Sequence, residues 1–225
     1  MPFSSASDWP LPVSPSASRY GPRPGVLFLP ETNRSHQAGP VLRNFTTLLA
    51  PVLRAVGAAG PTPVVLIDGP SGAGKSTLAD ALVAQWPGTV HPQLVRLDDI
   101  YPGWDGLDSA IRHLGRFVLA PRHRGKPAAW QRYDWTKNQA AEWHPLDAAR
   151  PLIVEGCGTL AAVHEPLSDV RVWLGAGDAL RKQRALDRDG EAFRTHWDQW
   201  QQEWATYVEQ ETPENRATIR LRAAD

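Results

Sequence analysis

Eight residues, Gly69-Pro-Ser-Gly-Ala-Gly-Lys75-Ser76, carry the densest chemistry in the chain. Gly69, Gly72 and Gly74 permit backbone angles that a Cβ would forbid, so neighbouring amides can turn toward one centre. Amides arranged this way, ahead of a helix N-terminus, make a site for anionic oxygen. Lys75 adds a full positive charge, and Ser76 adds a hydroxyl suited to a hard cation such as Mg²⁺. Ser71, Ala73 and Thr77 fill the rest of the stretch that would wrap a phosphate group. The spacing G-x-x-x-x-G-K-[ST] is that of a loop holding the phosphates of a nucleotide.

Chemistry on such phosphates needs carboxylates to hold a cation and to orient an attacking hydroxyl. Asp98 and Asp99 close one apolar run, and Glu155 closes another, Pro151-Leu-Ile-Val, just before Gly156. An ionised acid at the end of a buried strand is costly unless a partner or a metal compensates it. Asp98 or Asp99 could instead cap a turn or the next helix. Asp68, directly before the loop, reads equally well as a support for Lys75 or as structural.

The elements that would place these groups alternate. Val64–Asp68 is a short, β-branched, continuously apolar run, as a strand buried on both faces should be. Leu94–Leu97, Pro151–Glu155, Val170–Leu174 and Ala217–Leu221 give four more strands. Between them lie helical periods: Leu42, Phe45, Leu49, Val52, Leu53 and Val56 in a leading helix over 41–59, then 76–84, 107–119, 178–189 and 191–210. Trp130–Trp135 reads as extended. Strands alternating with helices imply a doubly wound, mostly parallel five-stranded sheet with helices on both faces. In such a sheet, ligands bind at the C-terminal strand ends, where the loop and the acids lie.

Composition narrows the partners. Of 225 residues, 24 are acidic and 24 basic, so the net charge of zero argues against nucleic acid as a ligand. One cysteine, Cys157, leaves no internal disulfide and no Cys-rich zinc site, the pattern of a reducing cytoplasm. No apolar run approaches the ~20 residues of a membrane span. Residues 1–40 are rich in Pro and Ser without periodicity, which predicts a disordered tail ahead of a domain over 41–225.

Taken together, Asp68–Thr77, Leu97-Asp-Asp-Ile-Tyr101, Tyr133-Asp-Trp135 and Leu152-Ile-Val-Glu-Gly156 resemble the uridine kinase-like group of P-loop kinases of small molecules. The resemblance covers about residues 60–222. It implies the P-loop NTPase fold, an ATP and Mg²⁺ requirement and a small-molecule acceptor, with a nucleoside first. By resemblance, Asp98 is the base toward the acceptor hydroxyl and lies near the metal. Ser76 and Glu155 help hold that metal, and Asp99, Tyr101 and Tyr133 line the acceptor pocket. The segment Thr136-Lys-Asn-Gln139 stands where the group usually carries a histidine. A nucleoside-monophosphate kinase of the cytidylate type and an ATPase coupled to a partner are the alternatives. No Asn-Lys-x-Asp guanine motif is present.

Three further features complete the expectations. Arg181, Arg184 and Arg188 share one helical face in a lid expected over 177–190, with Arg184 and Arg188 the arginines chosen to act on the transferring phosphate. The run Arg122-His-Arg-Gly-Lys126 could bind a phosphate on the acceptor, or be a solvated loop. Phe193, Trp197, Trp200, Trp204 and Tyr207 form one helical stripe, which would dock on the sheet or join two copies in a homo-oligomer.

Overall fold

The computed structural model describes residues 40–223, with the side chains of 40–46 and 188–193 outside that description. The tail expected over 1–40 lies outside the described residues, apart from Pro40. The strands are β1 (Val64–Asp68), β2 (Gln93–Arg96), β3 (Ala128–Asp134), β4 (Gln139–Leu146), β5 (Leu152–Glu155), β6 (Val170–Gly175) and β7 (Ile219–Arg222). The helices are α1 (Pro40–Ala58), α2 (Lys75–Ala84), α3 (Leu107–His113), α4 (Ala120–His123), α5 (Asp178–Glu211) and α6 (Pro213–Arg216).

Five strands form one parallel sheet in the order β2-β5-β1-β6-β7, as the α/β reading requires. Alternation along β1 divides the core in two. Val65 and Ile67 pack with Leu49, Val52 and Val56 of α1 and Leu78 and Leu82 of α2. Val64 and Leu66 face the opposite layer, built from Leu107 and Leu114 and from the tryptophans of α5. Full burial of a leucine side chain is worth about 2 kcal/mol, so each face is anchored several times over. No described helix is long and apolar enough to cross a membrane.

Three elements differ from the sequence reading. The helix predicted over 107–119 ends its α-geometry at His113 and continues as a π-helix over Leu114–Leu119. The extended segment at Trp130 is one arm of an antiparallel hairpin, β3–β4, whose second arm was not expected. Finally, the two helices predicted over 178–189 and 191–210 are one hydrogen-bonded run, α5. That run nonetheless folds back. The Arg181 guanidinium donates to Gln201 Oε1 at 2.8 Å and lies 5.7 Å from the Trp197 ring centre. Twenty residues of straight helix would span ~30 Å, beyond the reach of those side chains. The bend falls between these contacts, in a stretch that contains Gly190, the poorest helix former in it.

The hairpin is closed by its own turn. Asp134 Oδ1 accepts the Thr136 and Lys137 amides at 3.1 Å each, and Asn138 takes a left-handed φ of 52°. Across the arms, Arg132 donates to both Glu142 oxygens, at 2.6 and 3.1 Å. That hydrogen-bonded pairing pulls the Glu142 carboxyl from 4.5 down to about 2. A depressed carboxyl contributes to the hairpin above its unfolded value and loses that contribution as pH falls through the folded one. At about pH 3.5 a ¹³C carboxyl resonance of Glu142 should therefore still report the ionised form, where an ordinary glutamate is mostly protonated. A half-protonated signal there would count against the pairing.

Candidate functional site

β1 delivers the loop through Asp68, which is fully buried. Its carboxylate accepts four hydrogen bonds: the amides of Gly69 (2.7 Å), Gly158 (3.1 Å) and Leu160 (2.8 Å), and the Tyr207 hydroxyl (2.7 Å). Burial pushes this carboxyl up, and the hydrogen bonds and Lys75 pull against that shift. Asp68 thus ties the start of the loop to the segment after β5 and to α5, which is the structural one of its two expected roles. Tyr207→Phe leaves one carboxylate oxygen short of a donor. Its unfolding free energy in urea should fall by about 1–3 kcal/mol, and an unchanged midpoint would refute the role of that bond.

The loop turns as its glycines suggest, with φ of 80° at Gly72 and 100° at Gly74, which caps α2. Ala73 is buried beneath it against the α1–α2 core. Lys75 opens α2 and is 8% exposed. Its ammonium donates to the carbonyls of Gly69 (2.8 Å) and Pro70 (3.1 Å) and approaches Cys157 Sγ at 3.5 Å. Burial alone would lower this ammonium, but Cys157, Glu155, Asp98 and Asp68 hold it above its ordinary value. Lys75 is therefore a fixed positive charge at neutral pH.

The metal candidates meet. Ser76 Oγ donates to Glu155 Oε1 at 2.9 Å. A hydroxyl has one hydrogen and two lone pairs, so this bond leaves the oxygen's lone pairs available to a cation. Glu155 is buried to 2% exposure at the end of β5. Burial and the neighbouring Asp98 raise its carboxyl, against Lys75, Arg96 and Ser76. A cavity of about 290 Å³ brings the groups together: Ser71, Gly72, Gly74, Lys75, Ser76 and Thr77 from the loop, Asp98 and Glu155 from the strand ends, then Cys157, Arg184 and Ala185. Asp98 sits in a 3₁₀ turn, Leu97–Asp99, that follows β2 directly. Asp99 shares that turn without lining the cavity.

Of the two chosen arginines, Arg184 reaches the cavity wall, while the side chain of Arg188 lies outside the described residues. Arg181 is held by Asp178 (2.8 Å) and Gln201 (2.8 Å) and braces the fold of α5. The basic run lies elsewhere. Arg122 donates to the carbonyls of Thr62, Asp147 and Arg150, which precede β1 and β5. That is the N-terminal edge of the sheet, a strand length of ~16 Å from the loop, so Arg122 gives no cation for an acceptor phosphate.

The acceptor side is aromatic, and here the structure corrects the reading. Tyr101 is 2% exposed, its hydroxyl donates to the Cys157 carbonyl at 2.8 Å, and its ring meets Trp200 edge-on at 4.9 Å. It positions the segment after β5 rather than meeting a ligand. Tyr133 is half-buried on the hairpin, bonded to Asn138 and edge-on to Trp135 at 5.6 Å. Trp130 packs inside. Trp135 is 40% exposed, and its indole N–H donates to the Asp98 carbonyl at 2.9 Å. Trp104 lies 5.0 Å from Trp135 and stacks on His196 at 4.9 Å. Sequence reasoning passed over Trp104 and His196, because only the fold sets α5 beside the turn after β2.

The tryptophan stripe faces inward. Trp204 stacks on Trp173 of β6 at 5.8 Å, and Trp200 Nε1 donates to Ser71 Oγ in the loop at 2.8 Å. Trp197, Trp200, Trp204 and Tyr207 are each below 9% exposure. These four are covered within the chain itself, which is the docking alternative read from the sequence; the side chain of Phe193 lies outside the described residues. Another residue missed by sequence is Arg96, which donates to Glu155 Oε1 at 3.1 Å.

No protein-family model and no curated protein matches the chain. Solved structures do match in fold. A possible uridine kinase from Bacillus stearothermophilus aligns with a TM-score of 0.58 at 17% identity, over 78% of this chain and 98% of that one. A candidate fructose transport system kinase from Silicibacter sp. aligns at 0.45 and 18% identity, over 76% and 98% of the two chains. D-glycerate 3-kinase from Cryptococcus neoformans aligns at 0.35 and 13% identity, over 82% and 73%. The chain thus has the fold of a P-loop kinase, resembling the uridine kinase-like proteins, with a parallel five-stranded sheet between two helical layers.

Proposed function

We propose that this protein transfers the γ-phosphoryl group of ATP to a hydroxyl of a small molecule, with a nucleoside as the first candidate acceptor. The observation that carries the reading is the convergence of Lys75, Ser76, Asp98, Glu155 and Arg184 on one cavity at the C-terminal strand ends. Phosphoryl transfer needs positioning and charge stabilisation more than covalent chemistry from the protein, and these residues supply both.

Gly69–Thr77 holds the phosphates through backbone amides. Lys75, whose ammonium is fixed at the loop, neutralises charge on the β- and γ-phosphates. Asp98 accepts the proton of the attacking hydroxyl, and Arg184 meets charge spreading onto the transferred group. Ser76 and Glu155 offer hard oxygen donors of the kind Mg²⁺ takes. Among the described residues no three His, Cys, Asp or Glu side chains stand together as a metal cage. That fits a cation completed by phosphate oxygens and water. Mg²⁺ held by Ser76 and Glu155 would supply positive charge to offset that of the phosphates. The single cysteine, buried beside the loop, suits a cytoplasmic setting.

Rival readings lose support from the same geometry. Lys75 and Arg184, the cations lining the cavity, are assigned to the ATP phosphates, and Arg122, the cation read for an acceptor phosphate, points elsewhere. The test is ATP turnover measured with and without a panel of nucleosides, nucleotides, sugars and other alcohols, with products identified by mass. Turnover raised by one acceptor, with a product heavier by one phosphoryl group, is expected. Acceptor-independent turnover that no panel member raises would favour the ATPase instead.

A further inference from the structure

Arg96 is the last residue of β2 and Glu155 the last of β5, and the two are partners in the parallel register. Their side chains therefore leave the sheet on the same face at its C-terminal edge. The arginine fork is doubly engaged. Nη1 donates to Glu155 Oε1 at 3.1 Å, and Nη2 donates to Asp80 on the outer face of α2. Glu155 Oε1 is also the oxygen that accepts the Ser76 hydroxyl at 2.9 Å. The carboxylate side chain is 3% exposed, Arg96 is 22% and Asp80 is 62%.

Two consequences follow from charge and geometry. A rigid guanidinium held at both ends fixes the carboxylate rotamer, and with it the direction of the Ser76 O–H. A unit positive charge on an oxygen that a dication must share also weakens that dication's hold. We propose that Arg96 is a positioning residue for the Ser76–Glu155 pair and that it sets how tightly Mg²⁺ is held beside the nucleotide. The proposal rests on the phosphotransfer reading. It extends it to a residue that neither the loop motif nor the acidic strand ends include.

The test is calorimetric titration of Mg²⁺ into the full chain saturated with an ATP analogue whose β,γ-bridge resists hydrolysis. Arg96→Gln removes the charge, and Mg²⁺ should bind about tenfold tighter. Arg96→Lys keeps the charge without the fork. Its Mg²⁺ affinity should stay within about twofold of the wild type, while kcat falls about tenfold because Glu155 and Ser76 are less well oriented. Unchanged or weaker Mg²⁺ binding in Arg96→Gln overturns the proposal, and so does an Arg96→Lys variant that gains affinity as strongly. Should Arg96→Gln fail to fold, Asp80→Asn at an exposed position carries the test. It frees the guanidinium charge, so Mg²⁺ should bind about two- to threefold more weakly, and no change overturns the proposal. A wild-type chain that binds the analogue but takes up no Mg²⁺ overturns it equally. If the wild type binds no analogue at all, the phosphotransfer reading itself has failed, a result distinct from failure at Arg96.

Discussion

Asp98→Asn should lower kcat for phosphoryl transfer by about 10³-fold, the usual scale for losing a general base. The substitution is isosteric and removes only the charge that takes the proton from the acceptor hydroxyl. Asp98 stands in the turn directly after β2 and shares a cavity with Lys75, Ser76 and Glu155. Its backbone carbonyl holds the Trp135 indole at 2.9 Å, and that bond survives the change. The acceptor side should therefore keep its shape. ATP affinity should change by no more than about threefold, since Gly69–Thr77 and Lys75 are untouched and a surface-accessible charge is screened. The Trp200 indole donates to Ser71 Oγ within the loop, so intrinsic fluorescence offers a binding signal independent of turnover. Transfer within tenfold of the wild-type rate would remove Asp98 from the role of base and leave it a cation neighbour at most.

The donor half of this site was legible in the sequence because it is local. The strand Val64–Asp68, the glycine-rich turn and α2 are contiguous, and each carries its own signal of burial, left-handed φ or helical period. Asp98 and Glu155 were legible for a related reason: an acid that ends an apolar run must sit at a strand terminus. Arg96 was not, because its significance comes from standing opposite Glu155 across β2 and β5, strands 59 residues apart in the chain at that rung. Periodicity tells which face of an element is buried, not which strand lies beside it. The hairpin arm β4 escaped for a different cause. Its face is largely exposed, so Gln139–Leu146 shows no apolar alternation. The sequence divides α5 near Gly190, but a helical period does not say in which direction the chain turns there. The fold-back of α5 carries Trp200 to the loop and His196 to Trp104, which is why the acceptor side could not be read correctly from the aromatic residues alone.

The close approach of α5 to the loop makes a second strong prediction. A Cβ on Gly72 would lie 1.9 Å from the Arg181 carbonyl oxygen and 2.9 Å from its Cα, at a φ of +80°. Both obstacles are backbone, so no rotamer change relieves them. Either the loop or the first turns of α5 must move by about 1 Å. Gly72→Ala should lose about 3 kcal/mol of stability, from overpacking together with a left-handed alanine. Gly57→Ala is the internal control, since a Cβ there meets nothing within 4 Å and the site lies in α1. It should be neutral or gain up to about 1 kcal/mol, because alanine is the better helix former. The same displacement in Gly72→Ala carries Arg184 and Ala185 off the cavity wall. Affinity for ATP should therefore fall at least about tenfold even below the unfolding transition, an effect that lost stability alone would not give. Denaturant unfolding and nucleotide titration on both variants separate the two effects. A Gly72→Ala protein as stable as the Gly57→Ala control would show that α5 does not press on the loop. One that is unstable but binds ATP normally would show that the contact braces the fold without closing the site.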